Sequence, residues 1–210
     1  MKRIGIVLLG VAAWLVFPSL VFAQRTQTTY SFSAVGTNGL GQLSLLQHPS
    51  VQNELELTGD QIGRVGELLK DQERWFRDSR GGDLAEKRSR EDARSAELEA
   101  AISGFLTDQQ VKRLKQIGLQ QQGAWALADP KISDALELTA AQKEEVRSLT
   151  TAARFKMRGF GTPGRSPNRE NAESVRKATS DKLLALLTEE QQTKWKDLVG
   201  KPFEGEIRRP

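Results

Sequence analysis

Few residues of this 210-residue chain could carry out acid–base or metal chemistry. It has one histidine, His48, no cysteine, and two methionines, of which one is Met1. Because proteins bind zinc and copper mainly through histidine and cysteine side chains, the sequence predicts no metal site and no cofactor. His48 precedes Pro49, which suits the first position of a helix, so we expect His48 to cap that helix or lie at the surface.

Two pairs of adjacent carboxylates, Glu144-Glu145 and Glu189-Glu190, could in principle act as acid and base. Both pairs fall in the first turn of a predicted helix, where negative charge interacts favourably with the helix dipole. The helix dipole is therefore a sufficient reason for these glutamate pairs, and no catalytic role is needed to explain them. Gly159-x-Gly161 is not followed by the helix-opening pattern of a phosphate-binding loop. The sequence therefore predicts no catalytic residues, and a protein that is not an enzyme.

A basic segment lies between Glu145 and Glu170, where six Lys and Arg residues occur without an acidic residue. One interpretation is a helix end whose cations meet the C-terminal dipole, followed by a solvated loop. The other is a partner-binding surface, because methionine and arginine side chains adapt to partly unfolded chains. A weak contact with an anionic membrane surface would use the same cations. The candidate client-binding residues are Arg154, Phe155, Lys156, Met157, Arg158 and Phe160.

A five-residue motif, Leu-Thr-x-x-Gln, occurs four times in the chain. Threonine is a preferred N-cap residue, and glutamine three positions later can return a hydrogen bond to the cap, forming a capping box. Each copy therefore predicts that a helix begins just after its threonine. The motif residues are Leu57, Thr58 and Gln61; Leu106, Thr107 and Gln110; Leu138, Thr139 and Gln142; and Leu187, Thr188 and Gln191.

The four motifs form two equal pairs. Leu57 and Leu106 are 49 residues apart, as are Leu138 and Leu187, and the second pair lies 81 residues after the first. At the same offset Pro49 matches Pro130 without a gap. The spacing predicts one internal duplication with two motifs in each half.

Paired Leu-Thr-x-x-Gln motifs at helix starts resemble the Spy/CpxP-like periplasmic family of small all-helical stress proteins. The resemblance covers roughly residues 49–199, and the duplicated arrangement looks like planctomycete members. It implies an ATP-independent chaperone. The family usually has one motif pair per chain and dimerises into a curved cradle, so two pairs here suggest a monomer built as an internal pseudo-dimer. Some relatives sense metals through histidine or methionine, which this chain lacks at such sites.

The N-terminus has the pattern of an export signal. Lys2 and Arg3 precede an uncharged stretch over residues 4–22, and Val21-Phe22-Ala23 resembles a signal-peptidase site. We expect residues 1–23 to be a cleaved signal peptide, with an uncleaved N-terminal anchor as the alternative, and the protein to be periplasmic or secreted. Cleavage would lower the net charge from +4 to +2 by removing Lys2 and Arg3. Charge alone therefore does not argue for nucleic acid as a partner.

The remaining pattern is helical, with no predicted strand. Ile62, Val65, Leu69 and Phe76 fall on one helix face and are expected to point inward. The predicted fold is all-α, with antiparallel helical hairpins in two similar halves forming a thin, curved bundle. We expect a flexible linker over residues 24–47, a first half over 48–123, a second half over 124–199 and a flexible tail over 200–210.

Two functions are consistent with these patterns. The resemblance implies an exported chaperone or envelope-stress protein that holds partly unfolded clients. The alternative is a non-enzymatic regulatory or scaffold module that binds one specific envelope partner.

Overall fold

The computed structural model describes residues 38–79, 81, 83–157 and 169–207, and these residues confirm the predicted all-α fold. Within these ranges there is no strand, and no helix is both long enough and apolar enough to cross a membrane. The predicted signal peptide lies outside the described residues. The helices are α1 (Gly39–Leu46), α2 (Pro49–Glu54), α3 (Gly59–Asp78), α4 (Leu84–Ser103), α5 (Asp108–Gln122), the 3-10 helix η1 (Gly123–Ala128), α6 (Pro130–Ala135), α7 (Ala140–Met157), α8 (Arg169–Ala185) and α9 (Glu189–Val199).

The helices of the two halves recur at the offset of 81 residues. Helix α2 begins at Pro49 and α6 at Pro130, and each is followed by a glutamate with a positive φ angle. The φ angles are 50° at Glu56 and 54° at Glu137. This left-handed conformation is uncommon for residues other than glycine, so its presence at equivalent positions supports the duplication at the level of backbone geometry.

The predicted flexible linker is wrong for its last residues, because residues 39–46 form α1. The Asn38 side chain caps this helix by accepting from the Gly41 N–H at 2.9 Å, and three of its leucines are buried. Helix α1 packs against α4, and a Cβ at Gly39 would lie 2.1 Å from the Ser95 carbonyl oxygen. Glycine is thus required for this close approach, although Gly-rich sequence suggested a linker. Residues 24–37 lie outside the described ranges.

Two hydrophobic cores organise the molecule. The first collects apolar residues from α1 to α5, including Leu46, Ile102 and Leu114. The second collects residues from η1 and α6 to α9, and also contains Leu119 from α5. Since α5 packs against α9 and contributes to both cores, it joins the two halves of the chain.

The predicted flexible tail is wrong for residues 200–207. Ile207 is buried in the first core, with 8% of its surface exposed, and Phe203 packs against the same core. The chain therefore returns from the second half to the first after α9. Residues 208–210 lie outside the described ranges.

Each half extends one long pair of helices, which we call the first arm (α3 and α4, residues 59–78 and 84–103) and the second arm (α7 and α8, residues 140–157 and 169–185). In the first arm Gln61 donates to the Phe105 carbonyl near one end, while Arg94 donates to Gln72 midway. These contacts show that α3 and α4 run antiparallel. The packing of the two halves into a thin, curved bundle stays a prediction.

Candidate functional site: motif junctions and the ends of the arms

All four motifs form the capping box that their sequences predict. At Thr58 the hydroxyl oxygen accepts from the Gln61 N–H at 3.3 Å, and Gln61 Oε1 accepts from the Thr58 N–H at 3.0 Å. The same two bonds occur in the other three motifs. The motif threonines are exposed, and three of the four motif leucines are buried. Each motif therefore starts a helix and fixes it to a core.

The motif glutamines also bind each other in pairs. Gln61 Nε2 donates to Gln110 Oε1 at 2.9 Å, and Gln110 Nε2 donates to Gln61 Oε1 at 3.2 Å. The second half repeats this with Gln142 and Gln191, at 2.7 and 3.1 Å. We call each pair a motif junction. A junction joins the start of one arm to the helix that follows the arm, which explains the separation of 49 residues.

The second N–H of each amide binds a main-chain carbonyl, so both the oxygen and the nitrogen of the amide are used. Gln61 donates to Phe105 at 2.9 Å and Gln110 to Leu55 at 3.0 Å. Gln142 donates to Leu186 at 2.8 Å, and Gln191 donates to Glu137 at 3.3 Å. Only an amide supplies an acceptor and two donors in this geometry. The junctions are therefore saturated structural joints with no free polar group for a ligand.

The predicted client-binding residues lie at the C-terminal end of the second arm's first helix. Arg154, Phe155 and Lys156 are exposed, with Phe155 at 59%, and Met157 is half-buried. Arg158 and Phe160 lie outside the described residues. The basic character is thus present at the end of α7, although Arg147 nearby is paired with Glu144 at 3.3 Å.

The far end of the first arm exposes a second set of apolar side chains, which sequence analysis missed. Phe76 is 57% exposed and packs edge-on against Trp75, and Leu84 is 77% exposed. The prediction that Ile62 and Phe76 point inward is wrong, whereas Val65 is buried. The arm extends beyond the core at the end that carries Phe76, and in the described part of the chain no third helix covers that side chain.

Next to Phe76 is an open cleft of about 470 Å³, lined among others by Trp75, Phe76, Lys87, Arg90 and Glu91. The Arg90 guanidinium donates to the Gly81 carbonyl at the turn between the helices. The cleft thus combines aromatic rings with charges of both signs, a surface to which the apolar groups and charges of a polypeptide can bind.

The single histidine lies at the N-cap position of α2, as predicted, but it is not a surface residue. His48 is only 8% exposed, and its side chain makes no capping bond to α2. Burial lowers the pKa of His48, which favours the neutral imidazole. Among the described residues, no group of three or more His, Cys, Asp or Glu side chains is arranged to hold a metal ion.

The charged groups with shifted pKa values belong to structural contacts. Hydrogen bonds from Arg94 and then Arg74 lower the pKa of Asp71 in the first arm. Hydrogen bonds to Glu137 and then Glu190 raise the pKa of Lys194 beside the second motif junction. Each shift arises from ion pairing that holds helices and their connections together, so neither indicates a catalytic group.

Comparison of the chain with family models, curated proteins and solved structures finds no match. The resemblance to the Spy/CpxP-like family therefore rests on the four motifs and their spacing.

Proposed function

We propose that this is an exported, non-enzymatic binding protein that holds partly unfolded clients without ATP. The observation that carries the proposal is the exposure of large apolar side chains at the ends of both arms. Phe76 and Leu84 are exposed in the first arm, and Phe155 is exposed in the second. Unfolded chains display apolar groups, and binding removes both apolar surfaces from water.

The distribution of polar groups supports a binding role. The motif glutamines are saturated by one another and by the backbone, and they hold helices together. The exposed charges lie beside the exposed apolar groups, as at Lys87 and Glu91 in the first arm and Arg154 and Lys156 in the second. The charges have both signs at the end of the first arm and are positive at the end of the second, so the two arms together offer different charge patterns to unrelated clients.

The arrangement of the chain also agrees with the resemblance to Spy/CpxP-like proteins. Each half supplies one motif junction and one arm, so a single chain supplies two of each. We propose that the mature protein works as a monomer in the periplasm or outside the cell, with its two halves in place of the two subunits of a family dimer. Residues 1–23 would direct export or anchor the chain.

An aggregation-suppression assay with several unrelated, heat- or reductant-unfolded clients tests this function. We expect the wild-type chain to protect most of them, and Phe76→Ser/Leu84→Ser to lose much of that protection. The matched control is Ile62→Ser, which removes a 41% exposed apolar side chain from the same helix near the motif junction. It should protect like the wild type.

The same assay separates the two candidate functions. A wild-type chain that protects none of the clients would contradict a chaperone role and favour a module that binds one specific envelope partner. If Phe76→Ser/Leu84→Ser and Ile62→Ser lose client protection equally, the arm ends are not the binding surface.

A further inference from the structure

The segment after α9, residues 200–207, has no regular secondary structure and lies against α2 and α5; we call the surface of these two helices that it covers the groove. Side chains of the two helices bind its main chain. Arg113 donates to the Lys201 carbonyl at 2.6 Å, and Ser50 donates to the Glu206 carbonyl at 2.6 Å. Gln120 both donates to the Lys201 carbonyl and accepts from the Phe203 N–H, each at 2.7 Å.

These contacts depend little on the side chains of the bound segment, because they reach its backbone. The side-chain contribution comes from Phe203 and Ile207, four positions apart, which pack against the first core. Between them the chain turns tightly. A Cβ at Gly205 would lie 2.3 Å from the Phe203 ring and 2.9 Å from the Ser50 Cβ. The groove thus holds an aromatic and an aliphatic side chain separated by a small residue.

The groove has its own supports and is not part of the duplicated scaffold. Glu54 holds Arg113 through bonds of 2.8 Å to Nε and 2.6 Å to Nη2, and the Arg113 side chain is only 16% exposed. At the equivalent positions 81 residues later, lysines replace Ser50, Arg113 and Gln120. One of these, Lys194, binds Glu137 and Glu190 instead. The second half therefore lacks this set of backbone-binding groups.

We propose that the groove between α2 and α5 is a peptide-binding site for clients, normally occupied by the protein's own segment 200–207. Its ligand is a short non-helical stretch of a partly unfolded chain, with an aromatic and an aliphatic residue four positions apart. The inference rests on the proposed chaperone function and names the class of segment bound. A tethered occupant has a high effective concentration, so a client segment displaces it only when present in excess or when it binds more tightly.

The test uses the full chain carrying Phe203→Ala/Ile207→Ala, which weakens the internal occupant without removing it. The probe is a fluorescein-labelled peptide of residues 201–207, followed by fluorescence anisotropy. We expect this variant to bind the peptide at least about 10-fold more tightly than the wild type, because the tethered competitor is weakened. Glu204→Ala changes an exposed position of the same segment and should behave like the wild type.

Two further variants locate the site. Adding Gln120→Ala to Phe203→Ala/Ile207→Ala, which we call the released variant, should weaken peptide binding. A peptide with alanine in place of its phenylalanine should bind poorly. If the folded released variant, checked by circular dichroism, does not bind the peptide, the proposal is overturned. This readout involves no aggregation, so its failure is distinct from failure of the client-protection assay.

If the released variant does not fold, a measurement on the wild-type chain still tests the proposal. A reduced and alkylated, permanently unfolded protein at a concentration that saturates client protection should speed hydrogen exchange at the Phe203 amide, which Gln120 otherwise holds. Unchanged exchange there would overturn the proposal. A wild-type dimer that the peptide converts to monomer would assign the groove to a second copy of the chain, which would also overturn the client assignment.

Discussion

The two arms are equivalent in sequence position but are held together by different chemistry. In the first arm Arg94 is buried and donates to Gln72 at 2.9 Å, to Asp71 at 2.6 Å and to Glu97 at 3.2 Å. In the second arm the positions equivalent to Arg94 and Gln72 are Val175 and Ala153.

The spacing between helices follows from this difference. Helices α7 and α8 pack closely backbone to backbone, with Ala153 buried between them, whereas α3 and α4 do not approach each other in this way. In the second arm, Thr150 and Thr179 bond to carbonyls of their own helices at 2.8 and 2.7 Å, so no polar bridge is needed. Identical motif junctions can therefore support either a polar or a close-packed arm.

Placing the Gln72–Arg94 pair at the equivalent positions of the second arm should have the largest effect on stability. We expect Ala153→Gln/Val175→Arg to lower the free energy of unfolding by about 1–3 kcal/mol, because close-packed helices cannot admit two long side chains without strain. Ala152→Gln, at an exposed position of the same helix, should change stability by less than about 0.5 kcal/mol. Urea unfolding measures both. A double variant as stable as the parent would show that the second arm can widen to the spacing of the first.

Removing the Arg94 side chain, which bridges α3 and α4 in the first arm, should lower the free energy of unfolding by nearly as much. Arg94→Ala leaves the buried Gln72 oxygen without its donor, and we expect a loss of about 1–3 kcal/mol in urea unfolding. The control is Arg74→Ala, which removes an exposed ion pair with Asp71 and should cost less than about 0.5 kcal/mol. Equal costs for the two variants would mean that the network adds only surface electrostatics.

The motif threonines should contribute equally to stability in both halves, whereas the contacts within the two arms differ. Thr58→Ala and Thr139→Ala each remove one capping bond, at 3.3 and 3.2 Å. We expect each to reduce stability by about 1 kcal/mol in thermal or urea unfolding. A clear difference between them would show that the two junctions are not equivalent despite their shared geometry.

The smallest expected effect is an acid response confined to the first arm. Because Arg94 and Arg74 lower the pKa of Asp71 below its ordinary value of 3.8, the ionised carboxylate stabilises the folded state. That stabilisation is complete above pH 3.8 and is lost as the pH falls through the lowered value. The urea midpoints of wild type and Asp71→Asn should therefore differ at pH 7 and converge at lower pH. A difference that does not shrink as the pH falls below 3.8 would contradict this linkage.

Local patterns were sufficient to predict the helices that follow the motifs, because a capping box lies within four residues. They could not show that Gln61 and Gln110 bind each other, since this contact joins residues 49 apart and depends on the packed fold. The equal spacing in both halves was the available signal. The all-α class needed only the helical periodicity, whereas the open end of the first arm depends on where the core stops.

Other misses have the same physical origin. Arg94 lies in a highly charged helix, so its sequence neighbours suggest a solvated face, and only the opposite helix buries it. Gly39 and Gly205 suggest flexibility, yet each allows a close contact that a larger side chain would prevent. Amino-acid composition indicates how flexible such a segment is when it makes no tertiary contacts. Whether it is ordered in the folded protein depends on those contacts.

The return of residues 200–207 to the first half affects the order of events during synthesis. Ser50 and Glu206 are 156 residues apart, and the ribosome adds about 5–20 residues per second, so roughly 8–30 s separate the two contact residues. Throughout that interval the first core lacks Phe203 and Ile207. The N-terminal half therefore cannot reach its final packing before the C-terminal half has been made, and the nascent chain emerges with an incomplete core.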